Sequence, residues 1–211
     1  MKNLRFISLA LFAFFLFFVR AADAEEKVIL AMGDSLMAGY NLPPNASFPA
    51  QLETWLREQG ADVRVLNSGV SGDTTASGRS RLDWSLASVP GGKPDLFILE
   101  FGGNDMLRGI DPRVTRANMD AILEKLSGLN IRVLVMGMQA PPNMGAEYGR
   151  EFNAIFPELA EKYGTELYPF YLEGVAAIPS LNLEDGLHPN EQGIEIMVKN
   201  SGPMILGLIG D

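Results

Sequence analysis

Cysteine is absent from the 211 residues. That excludes disulfides, thiolate nucleophiles and cysteine-ligated metal centres, so stability has to come from the core. Histidine is nearly as scarce, with His188 standing alone. No Cys and one His leave only carboxylates as ligands, and no metal site is expected. Positive charge is also short. Seventeen Lys and Arg face 26 Asp and Glu, a formal charge of -9. Nucleic-acid binding rests on Lys and Arg at phosphates, and adsorption to an anionic membrane needs a basic patch. Neither partner is expected. The apolar run at residues 6–19, broken only by Ser8, is too short to span a bilayer.

That run has the form of a secretory signal. Lys2 and Arg5 precede it, and Ala22-Asp23-Ala24 places small residues at the two positions a signal peptidase reads. Residues 1–24 are expected to be a cleaved signal peptide and residues 25–211 the mature domain, exported to the periplasm. Cleavage after Ala21 or Ala22 and retention as an uncleaved anchor are the alternatives. Cleavage before Glu25 removes Lys2, Arg5, Arg20 and Asp23, which moves the formal charge to about -11. No stable membrane anchor then remains, and the mature chain is expected to be a monomer.

What the sequence does hold is 47% hydrophobic residues, enough for one well-filled domain. Apolar stretches at 28–32, 62–67, 95–101, 131–138 and 166–170 predict strands. The stretch at 95–101 is apolar enough to be buried on both faces. Helices are predicted between them. One follows Ser47 as N-cap to Glu58, with Leu52, Trp55 and Leu56 on one face. Others span 75–86, with a poor apolar phase, and 115–126. The helix at 147–163 is expected to kink or break at Pro157, and the last, 189–208, at Gly202-Pro203. Residues 171–187 show no regular pattern. Alternation of this kind predicts a three-layer, doubly wound α/β fold. Its five-stranded parallel sheet would be flavodoxin-like in order, 2-1-3-4-5.

In such a sheet the loops at the carboxyl ends of the strands converge on one site. Three polar clusters stand there and a fourth precedes the last helix. They are Gly33-Asp34-Ser35, Ser71-Gly72-Asp73, Gly103-Asn104-Asp105 and Asp185-Gly186-Leu187-His188-Pro189. Ser35 is a candidate nucleophile. If a histidine activates it, that base is His188, the only one present. Asp185, three residues earlier, can hold the imidazole in the required tautomer. An acyl transfer also needs donors for the developing oxyanion. The Ser35 N–H, the Gly72 N–H and the Asn104 amide are candidates. Asp34 and Asp105 are expected to hold loops through backbone hydrogen bonds, and Asp73 and Glu100 remain without a role.

With these four clusters the chain resembles the SGNH (GDSL) hydrolases over nearly its whole mature length. Closer matches at Gly-Asp-Ser-Leu-Met-Ala-Gly-Tyr, Gly-Gly-Asn-Asp-Met-Leu-Arg-Gly and Pro-Pro-Asn-Met-Gly resemble the subgroup of periplasmic acyl-CoA thioesterases, lysophospholipases and arylesterases. The resemblance implies the same roles for Ser35, His188 and Asp185, and an oxyanion hole of Ser35, Gly72 and Asn104. It implies a serine hydrolase of carboxylic esters and thioesters, with small-molecule acyl substrates and no cofactor. The Gly-x-Ser-x-Gly elbow of α/β-hydrolases is absent at Ser35, which argues against that fold. Met106, Leu107, Ile110, Pro141, Pro142 and Met144 follow the third and fourth predicted strands and are candidates for an apolar acyl groove. A carbohydrate O-acetyl esterase is the alternative within enzymes. A non-catalytic binding module is the alternative outside them.

Overall fold

The computed structural model of the protein describes residues 26–210; the predicted signal segment lies outside them. Five strands form one parallel sheet: β1 (Lys27–Gly33), β2 (Val63–Gly69), β3 (Leu96–Glu100), β4 (Val133–Met136) and β5 (Glu166–Tyr168). Their order is β2-β1-β3-β4-β5, the doubly wound order the sequence predicts. Gly33 and Gly69 lie opposite each other at the carboxyl ends of β1 and β2. Every residue of β3 is buried, including the carboxyl-bearing Glu100.

The α-helices among the described residues are α1 (Ser35–Ala38), α2 (Phe48–Glu58), α3 (Thr75–Ala87), α4 (Gly103–Leu107), α5 (Pro112–Gly128), α6 (Ala146–Asn153), α7 (Ile155–Tyr163) and α8 (Glu191–Gly210), with short 3-10 helices in four of the loops. Helices α2 and α8 pack together as one layer, and α3, α5 and α7 as another. Close packing explains α3, whose apolar phase is poor. Thr75 and Ser85 are buried among its residues, and a side chain at Gly78 would strike the Phe101 ring at 2.5 Å.

Three expectations need correction, and the break expected at Pro157 is present. Ser47 occupies the N-cap of α2, but its hydroxyl donates backwards to the Pro44 carbonyl at 3.1 Å instead of capping. Helix α5 begins at Pro112, not Thr115, because Asp111 caps it through the Arg113 N–H at 2.9 Å and proline suits the first turn. The break before Pro157 falls at Ala154, between α6 and α7; the proline ring excludes the carbonyl four residues earlier, that of Asn153. Helix α8 runs unbroken through Pro203. Gly202 there lets the Trp55 ring of α2 approach so closely that a Cβ would sit 2.8 Å from it. Packing of α8 on α2 outweighs the ~3 kcal/mol a mid-helix proline costs.

Candidate active site

Ser35 leaves β1 through a sharp turn. Gly33 is required there, since a Cβ would lie 2.4 Å from Glu100 Oε2. Asp34 caps α1, its Oδ1 accepting the Leu36 N–H at 3.0 Å. Ser35 is the first residue of α1, where a backbone N–H has no partner inside the helix. Gly69 seats that helix on β2, for a Cβ at that position would meet the Ala38 backbone nitrogen at 2.2 Å. Gly39, at φ +81°, ends the helix in the left-handed conformation glycine tolerates.

His188 arrives from the loop before α8. That loop holds only a short 3-10 helix, Pro179–Leu181, and one isolated bridge between Asn182 and Pro189, yet its backbone is tightly bonded. The Leu183 N–H donates to the His188 carbonyl at 2.7 Å, and the Asn190 N–H to the Leu181 carbonyl at 2.9 Å. The Asn182 amide bridges the Val175 and Ile178 carbonyls, each at 2.8 Å. Asp185 Oδ1 accepts the backbone N–H groups of Leu187 and His188 at 2.9 and 3.0 Å. Its Oδ2 lies 2.6 Å from His188 Nδ1, and His188 Nε2 lies 2.8 Å from Ser35 Oγ. A carboxylate at Nδ1 fixes the hydrogen there and leaves Nε2 as the acceptor for the serine hydroxyl. Burial pushes the Asp185 carboxyl up, but the two N–H donors and the imidazole outweigh it and hold it at about 2.

Asn104 stands in α4, an element the sequence reading did not predict. Its amide donates to Asp34 Oδ2 at 2.9 Å, so one N–H of the pair is fixed and the amide plane with it. Asp34 in turn receives support from below, its N–H donating to Glu100 Oε2 at 3.1 Å. Burial raises the pKa of Glu100 well above the usual carboxylate range, and the neighbouring Asp34 adds to the effect. Both influences favour a neutral Glu100 beneath Asp34. Burial also raises the pKa of Asp34, against the Leu36 N–H, the Asn104 amide and the imidazole.

Gly72 belongs to the loop after β2, which is docked to β1 by the Val70 N–H donating to the Gly33 carbonyl at 3.0 Å. Its φ of +84° demands glycine, and its carbonyl accepts Arg108 Nη2 at 2.7 Å. Asp73, unassigned from sequence, pairs with Arg81 at 2.6 Å, both side chains largely buried. Arg81 also donates to the Ser68 and Gly33 carbonyls, each at 2.9 Å. One guanidinium therefore fastens the ends of β1 and β2 to the Gly72 loop. Asp105 accepts the Thr75 N–H at 2.8 Å and the Thr115 hydroxyl at 3.1 Å, joining α4 to α3 and α5. Sequence reading misses Arg81 and leaves Glu100 without a role, because neither lies in a recognisable cluster.

A cavity of about 120 Å³ opens beside Ser35 and His188. Leu36, Met106, Leu107, Met138, Leu172 and Leu187 supply its apolar wall, with Asn104 on the rim. Of the six residues proposed from sequence for an acyl groove, Met106 and Leu107 are on it. Ile110, Pro141, Pro142 and Met144 are not. The Ala140 N–H donates to Asn153 Oδ1 at 2.8 Å, drawing the loop after β4 onto α6. Met144 lines a separate cleft with Asp111 and Tyr148, whose hydroxyl donates to the Ile110 carbonyl. Leu172 and Leu187 come from the loop before α8, far off in sequence. Among the described residues, no group of three or more His, Cys, Asp and Glu is placed to hold a metal ion, and no helix is long and apolar enough to cross a membrane.

Comparison with known proteins places this geometry in context. The sequence model of the GDSL-like Lipase/Acylhydrolase family matches residues 31–196. An arylesterase of Vibrio mimicus is 39% identical over 189 residues, covering 90% of this chain and 91% of that protein. The thioesterase 1/protease 1/lysophospholipase L1 of Escherichia coli K12 is 35% identical over 208 residues, covering 96% and 93%. Among solved structures, AlinE4, an SGNH-hydrolase family esterase, is 51% identical and superposes with a TM-score of 0.74, covering 86% of this chain and 96% of that one.

Proposed function

This chain belongs to the GDSL-like lipase/acylhydrolase family and is an ester hydrolase, and we propose that it cleaves carboxylic esters and thioesters through an acyl-enzyme on Ser35. The observation that carries this reading is the hydrogen-bonded line Ser35–His188–Asp185, with spacings of 2.8 and 2.6 Å, opening onto an apolar cavity.

Ser35 Oγ attacks the acyl carbonyl carbon while its proton passes to His188 Nε2. The charge that develops on the carbonyl oxygen is met by the Ser35 and Gly72 N–H groups and by the Asn104 amide. Asp185 stabilises the imidazolium that forms and does not itself take the proton. The imidazolium then protonates the departing alkoxide or thiolate. Water, deprotonated by the same nitrogen, releases the acid and restores Ser35. No step calls for a metal or an organic cofactor.

The apolar wall favours an acyl chain over a bare acetyl group. Each buried methylene is worth up to ~0.8 kcal/mol, or about fourfold in kcat/KM. Efficiency toward p-nitrophenyl esters is expected to rise from acetyl to medium-length chains. It should then level off once the cavity is full and the remaining carbons lie along the exposed Leu107 and Leu187. Acyl-CoA thioesters should follow the same trend. A sharp acetyl optimum together with good turnover of an acetylated xylan would overturn the acyl-chain reading in favour of a carbohydrate O-acetyl esterase. Removal of residues 1–24 and work in the periplasm complete the proposal, supported by the signal-like N-terminal sequence.

A further inference from the structure

One aromatic contact at the site has no part in the reaction scheme above. The Tyr40 and His188 rings lie with centroids 4.4 Å apart and planes inclined by 35°. Tyr40 is 39% exposed, so hydrophobic burial does not account for its placement. The turn that ends α1 sets it. Gly39 is in the left-handed conformation, and the Tyr40 N–H donates to the carbonyl of Ser35 itself at 3.1 Å. Nucleophile and aromatic ring are thus held by the same few bonds of backbone.

We propose that Tyr40 is a positioning residue for His188, covering one face of the imidazole so that the ring stays in line between Asp185 and Ser35 and is stabilised when it takes the proton. The proposal rests on the reading of His188 as the general base. An aromatic face carries partial negative charge and attracts a cation above it. The other groups facing the imidazole are the Asp185 carboxylate at Nδ1, the Ser35 hydroxyl at Nε2 and, from the turn after β1, Asp34. Asp185 and Ser35 bind the imidazole at its edge, in the ring plane. Those bonds leave rotation about the axis joining them weakly restrained, and a ring against the imidazole face restrains it.

The test is a set of variants, Tyr40→Phe, Tyr40→Leu and Tyr40→Ala, with His188→Ala beside them. Each is assayed on a soluble short-chain ester across pH, with circular dichroism to verify folding. Phe keeps the aromatic face and should stay within about twofold of the parent. Leu keeps the cover but not the face. Its kcat should fall about two- to fivefold, and the midpoint of the acid limb of kcat/KM should drop by about half a pH unit. Ala should lose at least as much in kcat. A Leu variant that matches the parent in both kcat and acid-limb midpoint would overturn the proposal. So would a series in which only KM changes, which would make Tyr40 a substrate contact. Retained activity in His188→Ala would instead sink the underlying general-base reading, so the two failures are distinguishable.

Discussion

Ser35→Ala is expected to lower kcat toward a p-nitrophenyl ester by about 10⁴- to 10⁶-fold, the range seen when a serine nucleophile is removed. The change deletes one oxygen and leaves the supporting structure in place. Asp34 still caps α1 through the Leu36 N–H, Gly39 still closes it, and Asn104 still bonds Asp34. No core packing is lost, so the melting temperature should stay within a few degrees of the parent. The orphaned His188 Nε2 can be reached by water, because the imidazole side chain is 21% exposed. Steady-state kinetics combined with a melting curve checks both halves. A folded variant with most of its activity would remove Ser35 from the chemistry.

Asp185→Asn has the next largest expected effect, about 10⁴-fold in kcat. The carbonyl of asparagine can replace Oδ1 as acceptor for the Leu187 and His188 N–H groups, so the turn survives. The amide nitrogen then faces Nδ1 and donates to it. The imidazole hydrogen moves to Nε2, where it points at Ser35 and no acceptor remains for the serine proton. The parent enzyme's pH profile follows from the same carboxylate. Held at about 2, Asp185 has a depressed pKa, so its charge is fully present above the ordinary carboxylate range and is lost only as pH falls through about 2. Loss of the Asp185 charge therefore contributes nothing to any fall in kcat/KM between neutral pH and pH 4.

Much of this arrangement is legible in the sequence. The sheet order follows from five apolar stretches, the one at 95–101 apolar enough to be buried on both faces, alternating with helical segments. Ser35, Asp185 and His188 can be grouped because only one histidine exists and an aspartate precedes it by three. Other parts are not written in local sequence. Adjacency to Asn104 says nothing about where Ile110 points, and the loop at 141–144 is drawn onto α6 by Asn153. Leu172 and Leu187 reach the cavity through a loop held by Asn182 and Asn190 carboxamides. Glu100 reads as one polar residue at the end of an apolar strand; only the fold shows it beneath Asp34. The Tyr40 stack depends on a left-handed Gly39 and a single backbone hydrogen bond.

The most direct measurement of the central claim is the mass of the protein after exposure to a fluorophosphonate, followed by peptide mapping of the adduct. Such reagents phosphonylate a serine only when a base and oxyanion donors activate it. One adduct is expected, on Ser35, absent from Ser35→Ala and formed far more slowly in His188→Ala. An active enzyme that takes no label, or labels at a residue other than Ser35, would contradict the mechanism.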